Sequence, residues 1–522
     1  MFRSVFRSAP RSVPRKWSAE PVGFGVTASL LDGQRRAGVL LHPTSLPGPW
    51  EAGILGIDAY RFLDWLREGG FRLWQMLPLG PVGYSISPYQ LSSAFAGNPR
   101  LIDPEALRAA GWLPVELHPT GGSWPERKGL LHEAWLGFRS GSRPDERAAF
   151  KAYWQDQRAW LLPFALFQVA RGQHGEEGWW TWPEAVRARR PDAMAHLLQA
   201  AAAEIREIVF EQWVFDRQWL GLRARAHEYG IELIGDLPIY VDLDSADVWW
   251  HRRLFRVDPD GRPAAVAGVP PDYFSAEGQR WGNPLYDWEA LRAEGFRWWV
   301  DRVRTQLRRF DYLRIDHFRG LQAYWEIPAA ASSAREGHWQ LAPGAELLTA
   351  IGAACGGQPF LAEDLGTITA EVHALRRQFG LPGMLIAQFA FDGLADNPYL
   401  PANQVEAAVI YSGTHDNDTA LGWYQSLSAV ARDDVQRALA CGPDDMPSAL
   451  LRSVWQSRAQ TAIFPLQDLL GLGSDARMNT PATITGNWSW RFAWSQIPTG
   501  LADDCRRLGR ETGRQWQRDA AA

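Results

Sequence analysis

A chain of 522 residues, 46% hydrophobic and 22% charged, is long enough to bury a substantial core and has no compositional mark of disorder. Its 54 Lys+Arg against 59 Asp+Glu leave a net charge of -5, which supplies no field for gripping a polyphosphate backbone or an anionic membrane, so neither nucleic acid nor membrane is expected as a partner. Cys355, Cys441 and Cys505 are spread widely without metal-ligand spacing, and no run approaches the roughly 18 apolar residues of a membrane span, which together predict a cytoplasmic protein.

The chain opens on Arg3, Arg7, Arg11, Arg15 and Lys16 before any acidic residue, the composition of an organelle transit peptide. The plainer reading of residues 1–35, a poorly ordered tail, is preferred. Eight short runs rich in Val, Ile, Leu and aromatics then read as buried strands: 37–42, 72–78, 231–236, 311–316, 359–364, 383–389, 408–414 and 462–466. Between the first two, Tyr60, Phe62, Leu63, Trp65 and Leu66 recur at helical spacing, with Asp58 as the expected N-cap and Gly69-Gly70 as the stop.

Strands alternating with helices call for a parallel sheet, and eight of them predict an α/β fold, a (β/α)8 barrel occupying residues 36–522. A bare barrel takes about 250 residues, so the remainder must lie in insertions. The gap 79–230 carries helical segments at 145–171 and 195–229 and predicts a mostly helical insertion at about 92–215 on the barrel rim. The 28 Trp are first of all packing residues, although indole faces also suit the C–H faces of glucose.

Four of the strands end on acids: Asp236 after IELIG, Asp316 after DYLRI, Glu363 within PFLAED, and Asp416 just beyond VIYSGTH. Strand C-termini of such a barrel converge on one mouth, so these carboxylates are expected to share a cleft. Any one of them could be a helix cap or solvated loop acid, but four at strand ends point to chemistry that needs paired carboxylates, and glycoside cleavage is that chemistry. Period-2 geometry puts Arg314 and Asp316 on one side of their strand, where a guanidinium favours the charged carboxylate that a nucleophile requires. Glu363 and Asp364 compete for the proton-donor role, because adjacent strand residues face opposite ways; Glu363 reaches further and is in register with Leu361. His317 and His415 flank the acids and suit sugar hydroxyls better than base catalysis.

No HExxH, EF-hand, Walker A or GxSxG pattern occurs, and GLGSDA at 471–476 lacks the third glycine of a dinucleotide fingerprint, so no metal or other cofactor is expected.

The segments LLHPTSLPGPW (40–50), QMLPLGP (75–81), SPYQ (87–90), SAFAGNP (93–99), GDLPIYV (235–241), GVPPDYFSAEGQRWGNPLY (268–286), RIDHFRG (314–320), AEDLG (362–366), GTHDNDT (413–419) and ARMNTP (476–481) resemble the amylomaltases, the 4-α-glucanotransferases of the α-amylase clan. The resemblance spans residues 38 to about 495 in family order. It implies a retaining transfer of an α-1,4-glucan segment to a new 4-OH of glucose or another maltodextrin by double displacement. In it Asp316 matches the nucleophile, Glu363 the general acid/base and Asp416 the transition-state stabiliser. Arg314, Asp236, His317, His415, Ser87 and Tyr89 match residues around the cleaved sugar. The segment at about 262–287 resembles a lid over the acceptor side, with Gln279 and Trp281 as sugar contacts, and Asn487 in GNW matches a further one.

Where the family commonly reads GYGDSPYQ this chain has GYSISPYQ, so Ser85 and Ile86 depart from the pattern in the loop that carries Tyr84, which the resemblance would place at an outer glucan site. A lysine common after Gly383-Met384 is missing, and Ala402 stands where a histidine is common. Two rival readings share the barrel: an α-glucan hydrolase, and a barrel that binds glucan without cutting it.

Overall fold

The computed structural model describes residues 29–83, 86–117, 121–175, 177–271 and 276–514. Tyr84, Ser85, most of the tail expected at 1–35, and Tyr273 and Phe274 of the expected lid lie outside the described residues.

In chain order the strands are β1 Arg36–Leu40, β2 Leu73–Gln75, β3 Glu232–Pro238, β4 Ala265–Val269, β5 Gln279–Pro284, β6 Tyr312–Asp316, β7 Ala323–Pro328, β8 His338–Leu341, β9 Phe360–Ala362, β10 Gly383–Ile386, β11 Ala408–Tyr411 and β12 Thr461–Pro465. Eight of them form one parallel sheet in the order β10-β11-β12-β1-β2-β3-β6-β9, and these are the eight read from the sequence. Its two ends meet where Ala362 N donates to Pro382 O at 3.0 Å, so the sheet is a nearly closed barrel. Gly38 sits where β1 and β2 come closest: a Cβ there would lie 2.6 Å from Leu73 Cβ.

Alternate residues of these strands separate into two cores, as a pleat requires. Leu40, Leu73, Ile234, Tyr312, Leu361, Met384, Val409 and Ile463 fill the barrel interior. Val39, Trp74, Leu233, Leu313, Phe360, Leu385, Ile410 and Ala462 face outward into the larger core shared with the helices. Each buried Leu, Ile or Val on these faces contributes about 1.5–3 kcal/mol over its exposed state, and the strict alternation makes any one-residue register slip expensive.

The helix Ile57–Glu68 buries Ala59, Phe62, Leu63, Trp65 and Leu66, as its spacing requires. Its N-cap is Gly56, however, not Asp58. Asp58 lies inside the first turn, where a carboxylate still suits the helix dipole, and its Oδ1 accepts from Trp494 Nε1 at 2.6 Å.

Between β2 and β3 run the helices Pro104–Ala109, Trp124–Gly141, Pro144–His174, Glu184–Arg187, Pro191–Ala200 and Ala202–Glu228. Buried amides fasten this region to the rim: Gln212 binds the N–H (2.8 Å) and C=O (2.9 Å) of Gly97, and Gln218 those of Asp103 (2.8 and 3.0 Å). Trp179, Trp182, Trp219 and Trp249 are among the most completely buried side chains, so much of the tryptophan excess serves packing. The segment expected as a lid loop carries β4 and β5, which belong to a four-stranded antiparallel sheet ordered β5-β4-β7-β8.

Candidate active site

The interior phase of the barrel strands, continued to their C-terminal ends, delivers the polar residues of the mouth. Asp236 follows Ile234 by two residues on β3, Arg314 and Asp316 follow Tyr312 on β6, and Glu363 follows Leu361 beyond β9. β6 lies between β3 and β9, with Arg314 paired to Asp236 on one side and to Leu361 on the other. Asp316 and Glu363 therefore end adjacent strands.

Arg314 is the hub. Its Nη1 donates to Asp236 Oδ1 and Oδ2 at 2.9 and 2.8 Å, and its Nη2 lies 2.9 Å from Asp316 Oδ1. The Arg314 and Asp236 side chains are 5% and 0% exposed, whereas Asp316 keeps 29% of its side chain open to the mouth. A buried guanidinium thus spends one edge on a buried carboxylate and offers the other to an accessible one.

Glu363 is held by backbone. His317 N donates to Oε2 at 2.8 Å and Leu365 N to Oε1 at 3.1 Å, while Phe318 N donates to the Glu363 carbonyl at 3.2 Å. His317 adopts a left-handed conformation at φ 54°, a strain of about 1–3 kcal/mol for a non-glycine residue. That turn is what aims two successive amides at Glu363. Burial is the largest influence on the Glu363 carboxyl and, with the neighbouring Asp316, outweighs Arg314 and the His317 and Leu365 amides to push its pKa up to about 8. Asp364, the rival for the acid role, falls in the opposite phase; it accepts from Met384 N at 2.8 Å and lies 3.0 Å from Arg376 Nε, so it fastens β10 and a helix outside the mouth.

Opposite stand the residues beyond β11. Tyr89 donates to Asp236 Oδ2 at 2.7 Å, and its hydroxyl is 2.9 Å from His415 Nε2. The Tyr89 and His415 rings stack at 5.4 Å with 17° between their planes. His415 Nε2 is also 3.4 Å from Asp416 Oδ2, so Tyr89 and His415 link Asp236 to Asp416. Burial drives the His317 imidazole down to about 4, leaving it neutral at pH 7, and its buried Nε2 has no hydrogen-bond partner among the described residues. Trp281, from β5, meets the His317 ring edge-on at 4.8 Å and donates to Gln279 Oε1 at 3.1 Å, which brings both expected sugar contacts of the second sheet to the mouth. Ser87 Oγ accepts from Tyr89 N at 3.3 Å.

Asn487 is committed elsewhere. Its Oδ1 accepts from Thr480 N (2.9 Å) and its Nδ2 donates to the Thr483 carbonyl and hydroxyl (3.0 Å each), which closes the 480–487 loop on itself.

Several participants escape a reading by strand ends. Trp488 sits 5.7 Å from the Tyr89 ring and 5.9 Å from that of His415. Tyr411 donates to Gln75 Oε1 at 2.7 Å inside the barrel. Arg477 and Asn479 lie against the Asp416 loop, and only the ARMNTP motif flagged them. A small cleft lined by His42, Thr414, His415, Asp418 and Arg477 adjoins the site at His415 without including Asp316 or Glu363.

A family described as 4-alpha-glucanotransferase matches residues 41–496. Among similar curated proteins are a 4-alpha-glucanotransferase of Thermus thermophilus, 48% identical over 88% of this chain and 95% of the relative, and a chloroplastic/amyloplastic 4-alpha-glucanotransferase of Solanum tuberosum, 39% identical over 97% and 91%. A solved amylomaltase of Streptococcus agalactiae in complex with acarbose superposes with a TM-score of 0.88 at 34% identity, covering 92% of this chain and all of that one.

Proposed function

The chain belongs to the 4-alpha-glucanotransferase family, whose reaction moves a segment of an α-1,4-glucan to a new acceptor through a covalent glycosyl-enzyme intermediate, and from that membership we propose how its residues divide the work. Asp316 attacks the anomeric carbon of the donor sugar as the bond to the leaving O4 breaks, and Glu363 delivers its proton to that oxygen. A 4-OH of glucose or another maltodextrin then attacks the same carbon, returns its proton to Glu363 and releases Asp316. Two inversions retain the α configuration.

The observation that carries this assignment is the unequal treatment of two neighbouring carboxyls: Glu363 is pushed up to about 8 and so holds a proton at pH 7, while Asp316 is ion-paired with Arg314 and open to the mouth. Asp416 stands across the site to stabilise the oxocarbenium-like centre. Asp236, Arg314, Tyr89, Ser87 and His415 shape the place of the cleaved sugar, and the orphan Nε2 of neutral His317 suits a sugar hydroxyl. Trp281 and Gln279, on the 262–287 segment, form the acceptor-side wall that delays water until a sugar arrives. Asn487, with its amide bound within its own loop, would act by shaping the rim. The free thiols of Cys355, Cys441 and Cys505 suit a reducing cytosol, and no described helix is long and apolar enough to cross a membrane.

Incubation with maltotriose followed by chromatography of the products tests the reading. A ladder of longer maltodextrins plus glucose is expected; hydrolysis without lengthening would favour the hydrolase, and unchanged maltotriose a binding barrel.

A further inference from the structure

Asp416 differs from the other mouth acids in leaving the barrel frame: it lies in the loop after β11, with 46% of its side chain exposed. An exposed aspartate in a loop samples several rotamers, whereas a group that stabilises developing charge must already point at it. A single short segment supplies the restraint. Asn479 Nδ2 donates to Asp416 Oδ1 at 2.6 Å, and Asn479 N donates to the His415 carbonyl at 3.0 Å. Arg477 Nη2 donates to the Asp416 carbonyl at 2.5 Å, and its Nε to the Asn479 carbonyl at 2.7 Å. Arg477 thereby fixes the backbone of both partners at once. The segment is itself held, since Trp488, in a left-handed conformation at φ 64°, donates its N–H to the Met478 carbonyl at 2.8 Å. Within the loop the Asp416 N–H donates to Thr414 Oγ1 at 3.2 Å, which restrains the backbone, and His415 Nε2 lies 3.4 Å from Oδ2, so the short bond to Oδ1 comes from Asn479.

We infer that Asn479 is a positioning residue for the transfer reaction: it fixes the Asp416 carboxylate through Oδ1, leaving Oδ2 beside His415 to face the sugar, while Arg477 sets the distance between the two loops. This inference rests on the proposed role of Asp416. Asn479 touches no reacting atom and acts through Asp416 alone. A neutral amide serves this purpose better than a lysine or arginine, because a full charge at 2.6 Å would oppose the positive sugar centre that Asp416 is there to stabilise.

A double-mutant cycle on the full chain tests it, with maltotriose disproportionation as the assay and thermal unfolding as the check on folding. Loss of a hydrogen bond to a charged group predicts a fall in kcat of about 10- to 100-fold for Asn479→Ala, with KM little changed. In the Asp416→Ala background the same substitution should change kcat less than about 3-fold, because the group it positions is gone. Asn479→Leu, of nearly the same size and uncharged, carries the test if the alanine variant does not fold; it should lose kcat with little change in the unfolding midpoint. Multiplicative losses in the double variant, or a loss expressed in KM alone, would overturn the positioning role. Full activity of Asp416→Ala by itself would instead defeat the role of Asp416 on which the inference rests.

Discussion

The Arg314 guanidinium binds both carboxylate oxygens of Asp236, at 2.9 and 2.8 Å, with neither side chain meaningfully open to solvent. Such a pair stabilises little over a well-packed apolar pair, yet breaking it strands a buried charge at a cost of about 3–5 kcal/mol. Arg314→Met should therefore lower unfolding stability by about that amount and remove transfer activity, since Asp316 loses its partner as well. Denaturant unfolding measures the first and the maltotriose assay the second. A stable variant with intact turnover would mean that the hub is dispensable.

Glu363 predicts a limb in the pH profile. Its pKa is raised, to about 8, so the proton needed for departure of the leaving oxygen is present below that pH and disappears above it. kcat/KM should fall as pH rises through about 8. The same shift bears on stability: a carboxyl whose folded pKa exceeds its unfolded value favours folding at pH below the unfolded value, and that contribution is lost as pH climbs towards about 8. Glu363→Gln should flatten the limb and depress the rate. An unchanged profile in that variant would place the acid elsewhere.

The barrel was legible because its strands are short apolar runs bounded by turns, and their period-2 phase, carried to the strand ends, also separates Glu363 from Asp364. The antiparallel sheet was not. In β7 the inward position Glu326 is polar, buried against Arg256 with Oε1 accepting at 2.9 Å, so AYWEIP shows no clean alternation. β5, QRWGNP, is too polar and rich in turn formers to read as a strand. Asn479 and Trp488 come from irregular chain beyond β12 with no strand or helix pattern; the ARMNTP motif marked the segment of Asn479, but its partner is revealed only by tertiary contact. Asp58 failed as a cap for a local reason: Gly56 adopts the extended conformation two residues earlier, and the helix begins before the acid.

Trp281 supplies a test of the acceptor-side wall. Its ring stands edge-on to His317 at 4.8 Å, and its removal opens the mouth above the intermediate. Trp281→Ala should raise the ratio of hydrolysis to transfer several-fold while leaving first-half cleavage of an activated α-glucosyl donor measurable. Product ratios from maltotriose decide it; an unaltered ratio would show that the indole does not restrain water.

The division of labour between Asp316 and Glu363 is tested most directly by trapping the intermediate. A slow-reacting fluorinated α-glucosyl fluoride should glycosylate the enzyme once per chain with loss of fluoride, and peptide mass spectrometry should find the sugar on Asp316, with Asp316→Asn remaining unlabelled and inactive. A sugar found on Glu363 or Asp416, or turnover that survives in Asp316→Asn, would contradict the assignment.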